Sequence, residues 1–459
     1  MTTATPGVRP SPRPQGGATP PELGADEVAA WGRSGTELID LLTRARRLGP
    51  LSTFQLGQRR IVLVTGPEQV QHILAQHPDR YPKRSHRARV LLGEGVISAT
   101  GEAWKSQRRL LQSQFTATGI RRYEQRIADA AGRVADRWAE KARSGEPTDV
   151  GQDMQFFALD TIWRSLTDRP LDDDTHRELT AVETVVASLP TAAAAPATSP
   201  ETVTAALEQI DATAYRAIAA AREQHAAGGD GLLRLLLDTA RTRPEYTDRL
   251  IRDELVTLLV AGHETTAKTL AWLFLLLDRH PGIAEWAAAA GAPGSPVSRK
   301  EAVQALISET LRLYPAVWLI PRHAAEDDLV DGYRIEAGTD LLLCPYLTHR
   351  DPELWPDPFE FDPTRFLTPG RRPGRPGAYL PFGIGPRACL GQQFALREMA
   401  VLLEALLPAY TPAFHRTPAG AVFGANLRPD GPMPARILPR PSAAGQAQNP
   451  QGASCRSTN

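Results

Sequence analysis

From Thr247 to His280 the chain carries the apolar periodicity of one unbroken helix, stopped by Pro281-Gly282. At 1.5 Å per residue such a helix would be roughly 50 Å long, enough to cross a molecule of this size, so the other elements have to pack around it. The longest apolar run of the chain, Leu255 to Leu277, lies within it and is interrupted by His263, Glu264 and Lys268. Each charge there would cost on the order of 3 kcal/mol in a bilayer, so the run predicts a buried helix of a soluble body and no membrane span. Gly262 costs about 1 kcal/mol relative to alanine in a helix interior, and a threonine hydroxyl can bond back to a carbonyl and loosen the turn. Something has to offset that. Taken alone, the segment Ala261-Gly262-His263-Glu264-Thr265-Thr266 is either a packing glycine beside a solvated face or a site.

Around this helix the pattern is mainly α. Apolar periodicity runs from Gly101 to Pro281 with breaks near Gly145, Leu189 to Pro200 and Gly228-Gly229, and the alanine-rich break after Leu189 is either a plain linker or a loop over an entrance. A small β-rich lobe is expected from Gly49 to Thr65, with further strands at 330–335 and 340–344, and a proline-studded segment, Asp351 to Pro386, has little periodicity. At 459 residues and 42% hydrophobic content the chain can bury a substantial core around a cofactor. Lys plus Arg equals Asp plus Glu at 52 each, so no global field attracts nucleic acid or anionic lipid. The basic run Lys83 to Arg89 reads as a solvated loop. Three scattered cysteines suit a reducing cytoplasm. Residues 1–27 and 441–459 read as a disordered leader and tail flanking one domain, 28–440, and no apolar segment suggests a signal or anchor.

A second feature is chemical. In Pro381-Phe382-Gly383-Ile384-Gly385-Pro386-Arg387-Ala388-Cys389-Leu390-Gly391, one cysteine sits in a glycine-rich loop just before an apolar helix. Glycines let backbone approach a bulky planar group, and the positive end of the helix from about Gln392 favours a thiolate. Arg387 offers a fork to a carboxylate. A planar cofactor with an axial coordination site and carboxylate arms suits this set, and haem is the natural candidate.

The spacing Phe382, Gly385, Arg387, Cys389, Gly391 matches the haem-binding signature of the cytochrome P-450 superfamily, which the chain resembles from about residue 45 to 440. The resemblance implies a mainly α cytochrome P-450 fold with a small β-rich lobe. It implies haem b with Cys389 as axial iron ligand and Phe382, Gly385, Arg387 and Gly391 in the cofactor loop. Ala261 and Gly262 would make a groove beside the cofactor, Thr265 would hydrogen-bond the bound oxygen species, and Glu264 would link it to solvent protons. Trp104 and Arg108, with Arg387 and Arg322, would hydrogen-bond the propionates. Glu309, Arg312 and Arg365 match the family's Glu-x-x-Arg and Pro-x-Arg-Phe motifs and would form a buried ionic cluster behind the loop. Val317, Trp318, Leu319 and Ile320 would line the substrate pocket, closed by the Leu189 region and Phe423.

The expected activity is that of a soluble bacterial-type monooxygenase inserting one oxygen atom from dioxygen into an apolar small molecule, a terpenoid or polyketide natural product. Without a flavin or ferredoxin region in the chain, electrons would come from an external ferredoxin and ferredoxin reductase. Lys105, Arg109, Arg371, Arg372 and Arg375 would attract that acidic partner, and the enzyme is expected to be monomeric. A haem-thiolate peroxygenase or isomerase does not need the pair Glu264-Thr265, and a gas sensor should carry a regulatory or DNA-binding segment, which is not visible.

Overall fold

In the computed structural model of the protein, residues 17–84, 88–188, 199–223, 230–371 and 373–440 are described. The first described residues are already tied down. Gly17 donates its N–H to Gly332 O at 3.1 Å, Ala18 bridges Tyr333, Glu22 bridges Thr53, and Leu23 is buried. The leader expected over 1–27 is therefore corrected from residue 17 onward, because Leu23 and Trp31 of helix α1 (Ala25–Ser34) supply apolar surface to the lobe beneath them. Residues 1–16, the tail 441–459 and the linker after Leu189 lie outside the described residues.

The β lobe is built on β1 (Leu51–Leu56) and β2 (Arg59–Val64), antiparallel with Leu51 opposite Val64. Alternation sends Ile61 and Leu63 of β2 into one core, with Leu41, Leu42 and Phe54. It sends Val62 and Val64 into another, with Ile73 and Leu74. A strand buried on both faces reads as a continuous apolar run, which is what Ile61 to Val64 is.

The helical body follows in chain order, with a short α2 (Arg89–Leu92), α3 (Gly101–Gln112) and α4 (Val150–Thr167). Then come α5 (Ala181–Ser188), α6 (Pro200–Glu223), the central α7 (Asp248–Arg279) and α8 (Arg299–Leu313). Helix α7 has 32 residues, about 48 Å. Its cap is Thr247, whose side chain accepts the Leu250 N–H, and it ends at His280 before Pro281. Two more strands, β3 (Ile320–His323) and β4 (Asp340–Leu343), complete the sheet in the order β1-β2-β4-β3, with β4 parallel to β2. The described residues of the segment 351–386 run without helix or strand except for a 3-10 turn, Pro363–Phe366. Helix α9 (Gln392–Leu406) and the hairpin β5 (Ala421–Phe423), β6 (Leu427–Pro429) follow it. Among the described residues no helix is long and apolar enough to cross a membrane.

Near its start α7 presses against the chain after α2. Glu254 Oε2 accepts the Val96 N–H at 3.0 Å, and its other oxygen is buried without a partner. Burial pushes this carboxyl up to about 7, with the neighbouring charge of Asp253 adding to the rise and the Val96 bond opposing it. Below pH 4.5 the group is neutral in both folded and unfolded chains. As pH rises toward the folded value, the unfolded chain ionises first, so stability falls and stays low above it. Glu254→Gln, whose amide oxygen can still accept from Val96, is expected to match the wild type near pH 4 and to exceed it at pH 8. The expected gain is about 3 kcal/mol, measured by denaturant unfolding at the two pH values.

Candidate functional site

The loop before α9 closes on itself. Gly383 N–H donates to Leu380 O at 3.0 Å, Ala388 N–H to Gly385 O at 3.0 Å and Cys389 N–H to Phe382 O at 2.8 Å. Gly383 and Gly385 take φ of 67° and 76°, a region that disfavours side chains. A Cβ at Gly385 would lie 1.9 Å from Leu74 O, so this glycine seats the loop on the chain at Leu74. At Gly391 a Cβ would meet nothing within 4 Å, which leaves space just past the sulfur. Phe382 packs against the main core. The Cys389 thiol keeps an exposed face. Protein around its other sides pushes its pKa up, while the Gly391 N–H and the charge of Arg108 pull it back.

Beside the loop stand four cations. Arg387 lies 3.9 Å over the Trp104 ring and Arg108 lies 5.9 Å from it. Arg108 donates to Ala388 O at 2.9 Å and Arg387 to Ala99 O at 2.9 Å. Arg322, on β3, donates to Pro321 O at 2.8 Å. Lys83 donates to Ile97 O at 3.2 Å. Burial, with repulsion from Arg322 and Arg387, brings Lys83 down to about 8. Burial and repulsion from Arg387 bring Arg322 to about 10, and burial and repulsion from Arg108 bring Arg387 to about 10. Among the described residues none of the four has a carboxylate partner. Half-buried cations gathered in that condition suit an anion, and the two carboxylates of a haem fit them. Lys83 was missed in the sequence, where it opens a run expected to be solvated; nothing in the spacing of such a run marks which lysine turns inward.

On α7, Thr265 Oγ1 donates to Ala261 O at 3.1 Å and Thr269 Oγ1 to Thr265 O at 2.8 Å. Ala261 and Thr265 are half-buried. Gly262 was expected to widen a groove with Ala261, and this is corrected: a Cβ there would lie 2.7 Å from Ile162 of α4, so the glycine is needed for the crossing of α4 and α7. Glu264 points into the protein, 3.4 Å from His263 Nε2 and 3.9 Å from Lys268 Nζ. Burial alone would raise its pKa, but the His263 contact and the charges of His263, Lys268 and Arg428 outweigh burial and hold it to about 2. Thr266 Oγ1 donates to Glu398 Oε1 at 2.7 Å, which ties α7 to α9, the helix that starts three residues after Cys389. Burial raises the Glu398 carboxyl well above the usual carboxylate range in spite of that bond.

Behind the loop, Glu309, Arg312 and Arg365 meet, all fully buried. Glu309 accepts from Arg312 Nε at 2.7 Å and Nη2 at 2.8 Å, and from Arg365 Nε at 3.2 Å. The spare N–H groups hold the irregular segment by its carbonyls: Arg312 donates to His349, Pro358 and Glu360, and Arg365 to Pro356 and Asp357. His349 Nδ1 donates to Arg312 O at 3.2 Å while its Nε2 accepts the Leu380 N–H at 2.9 Å. Burial and the nearby Arg312 charge hold this imidazole neutral, at about 3, so it links cluster and cysteine loop as a fixed tautomer.

The expected pocket residues divide. Trp318 is buried and donates to Gly424 O at 2.9 Å, with the Phe423 ring 5.0 Å away. Trp318 belongs to the β-lobe core, and its assignment to a pocket lining is corrected on that ground, while the half-buried Phe423 packs against that core. Leu319 flanks that core and Ile320 the other one, while Val317 is exposed. Of the cations expected to attract a redox partner, Lys105, Arg371 and Arg375 face Glu102, Asp362 and Glu68. Arg109 is exposed, without an ion partner among the described residues, and Arg372 lies outside them.

The profile of the cytochrome P-450 family matches residues 31–418. Cyclooctatin synthase of Streptomyces melanosporofaciens is 29% identical over 423 residues, 86% of this chain and 89% of that protein. Cyclooctat-9-en-7-ol 5-monooxygenase of the same organism is 30% identical over 406 residues, 83% and 85% of the two chains. The crystal structure of the cytochrome P-450DA haem domain superposes with a TM-score of 0.79 at 26% identity, covering 92% of this chain and 98% of that one.

Proposed function

The chain belongs to the cytochrome P-450 family and is a monooxygenase, and from that premise we propose that Cys389 is the axial thiolate of its haem and that the substrate is an apolar natural product of the terpenoid class. When bound, haem supplies the activation of dioxygen and the transfer of one oxygen atom to substrate. The observation that carries the assignment is the open Cys389 thiol beside Lys83, Arg108, Arg322 and Arg387, four cations without a carboxylate among the described residues. These four would hold the cofactor's carboxylates, with the Trp104 ring as the platform under Arg387. The terpenoid class rests on the two Streptomyces relatives, one named for cyclooctatin and the other for the 5-monooxygenation of cyclooctat-9-en-7-ol.

Thr265 directs its O–H at Ala261 O, so toward the cofactor its oxygen would act as a hydrogen-bond acceptor. A proton delivered there passes on only as another arrives. Glu264 stays ionised near neutral pH and is therefore a relay that takes a proton before it gives one, with the part-exposed Lys268 on its solvent side. A separate ferredoxin and its reductase would supply electrons through the face that carries Arg109.

Thr265→Ala is expected to leave haem content and ligand affinity near wild type while product formation falls more than reductant consumption, the difference appearing as hydrogen peroxide. Coupling measured with a surrogate ferredoxin system tests this, and unchanged coupling on a turned-over substrate would remove Thr265 from proton handling. A screen of terpenoids read by the haem absorption spectrum tests the substrate class.

A further inference from the structure

The strip 88–99, which contains α2, runs from the start of α7 to the cationic cluster and is fastened at both ends. At the far end Lys83 holds Ile97 O and Arg387 holds Ala99 O. At the near end the fastener is Arg252, only 7% exposed. Its guanidinium donates from Nε to Asp211 Oδ1 on α6 at 2.6 Å. From Nη1 it donates to Leu91 O at 3.0 Å and to Asp253 Oδ1 at 2.9 Å. The second oxygen of Asp253 accepts the Glu94 N–H at 2.9 Å, and Thr257 Oγ1 donates to Leu92 O at 3.4 Å. The strip lies flat on α7: a Cβ at Gly93, where φ is +51°, would fall 2.1 Å from Asp253 Oδ2, and one at Gly95 2.2 Å from Thr257 Oγ1.

We propose that Arg252 is a positioning residue that couples the strip 88–99 to helix α6, so that the two open and close together and set the rate at which a ligand reaches the cofactor. A guanidinium holds its donors in one rigid plane and cannot shed its charge. If Asp211 is lost, the buried cation falls back on Asp253 alone, and that carboxylate also holds Glu94. The path from Asp211 through Arg252 and Asp253 to Glu94 is a continuous chain of charge-assisted hydrogen bonds, so a change on α6 is carried into the strip. Asp211 is partly exposed, with 45% of its side chain accessible, and is the end of the path that solvent can reach. The inference goes beyond the assignment of the reaction and requires only that the cofactor site lie where the cationic cluster is.

Hydrogen exchange on the haem-loaded protein tests the coupling, with the association rate of phenylimidazole, read from the haem spectrum, as a second measurement. Asp211→Asn is expected to raise exchange in 89–96 about 10-fold, a coupling of ordinary size, and to speed phenylimidazole entry and exit alike. In an Arg252→Gln background the same change should add nothing to either readout. Arg216→Gln, which breaks the pair with Glu178 elsewhere on α6, should leave the strip unchanged. Exchange that rises in α6 alone after Asp211→Asn overturns the proposal, as does an additive double variant. If Arg252→Gln does not fold, Arg252→Lys, which keeps the charge and loses the fork, takes its place in the cycle. A missing azole spectral shift would count against the haem assignment, whereas a normal shift with unaltered exchange and rates would count against the clasp.

Discussion

Glu309→Gln is expected to lower stability by roughly 3 to 5 kcal/mol, because it leaves Arg312 and Arg365 as two fully buried guanidiniums without their shared carboxylate. Arg365→Met should cost less. Glu309 then keeps the two Arg312 bonds, and the loss is confined to the grip on Pro356 and Asp357. Both variants should also release haem more readily, since the irregular segment they anchor continues through Leu380, held by His349, into the cysteine loop. Chemical denaturation with parallel haem quantification checks this. Equal, small losses in both variants would mean that the charges are compensated some other way.

Cys389→Ser should abolish the red-shifted Soret band that the reduced, carbon monoxide-bound protein shows when a thiolate ligates the iron. An alcohol is not ionised near neutral pH, and the Gly391 N–H and Arg108 that favour a thiolate here cannot overcome that difference. Lys83, Arg108, Arg322 and Arg387 remain in the variant and would still hold the cofactor's carboxylates, so the absorption band, and not the cofactor stoichiometry, is the deciding measurement. A variant that retained the band would remove Cys389 as ligand.

Much of this was legible in the sequence because spacing carries it. The limits of α7 are written in Thr247 as a cap and Pro281 as a stop. Glu309 and Arg312 share a helical face by their separation, and the glycines around Cys389 announce a loop. Direction is another matter. Whether Gly262 faces a cofactor or a neighbouring helix depends on Ile162, a hundred residues upstream in the chain, and no local pattern encodes it. Trp318 reads equally well as a pocket wall and as core until the Gly424 carbonyl that takes its N–H is known. The inward turn of Lys83 and the pairing of residues 17–23 with strands of the β lobe are likewise decided by partners far away in the sequence.

The contact between Gly262 and Ile162 also sets where this protein can be remodelled. The two helices meet there with no slack, so the distance from α7 to whatever occupies its other side is regulated from the rear. Trimming Ile162 would let α7 settle back toward α4 and enlarge the space on its other side without substituting Glu264 or Thr265. A methyl group added at Gly262 would push the opposite way, and second-site suppressors of that lesion should collect at 162. Selection for bulkier substrates would have in this crossing a dial that shifts Glu264 and Thr265 together with their helix and substitutes neither.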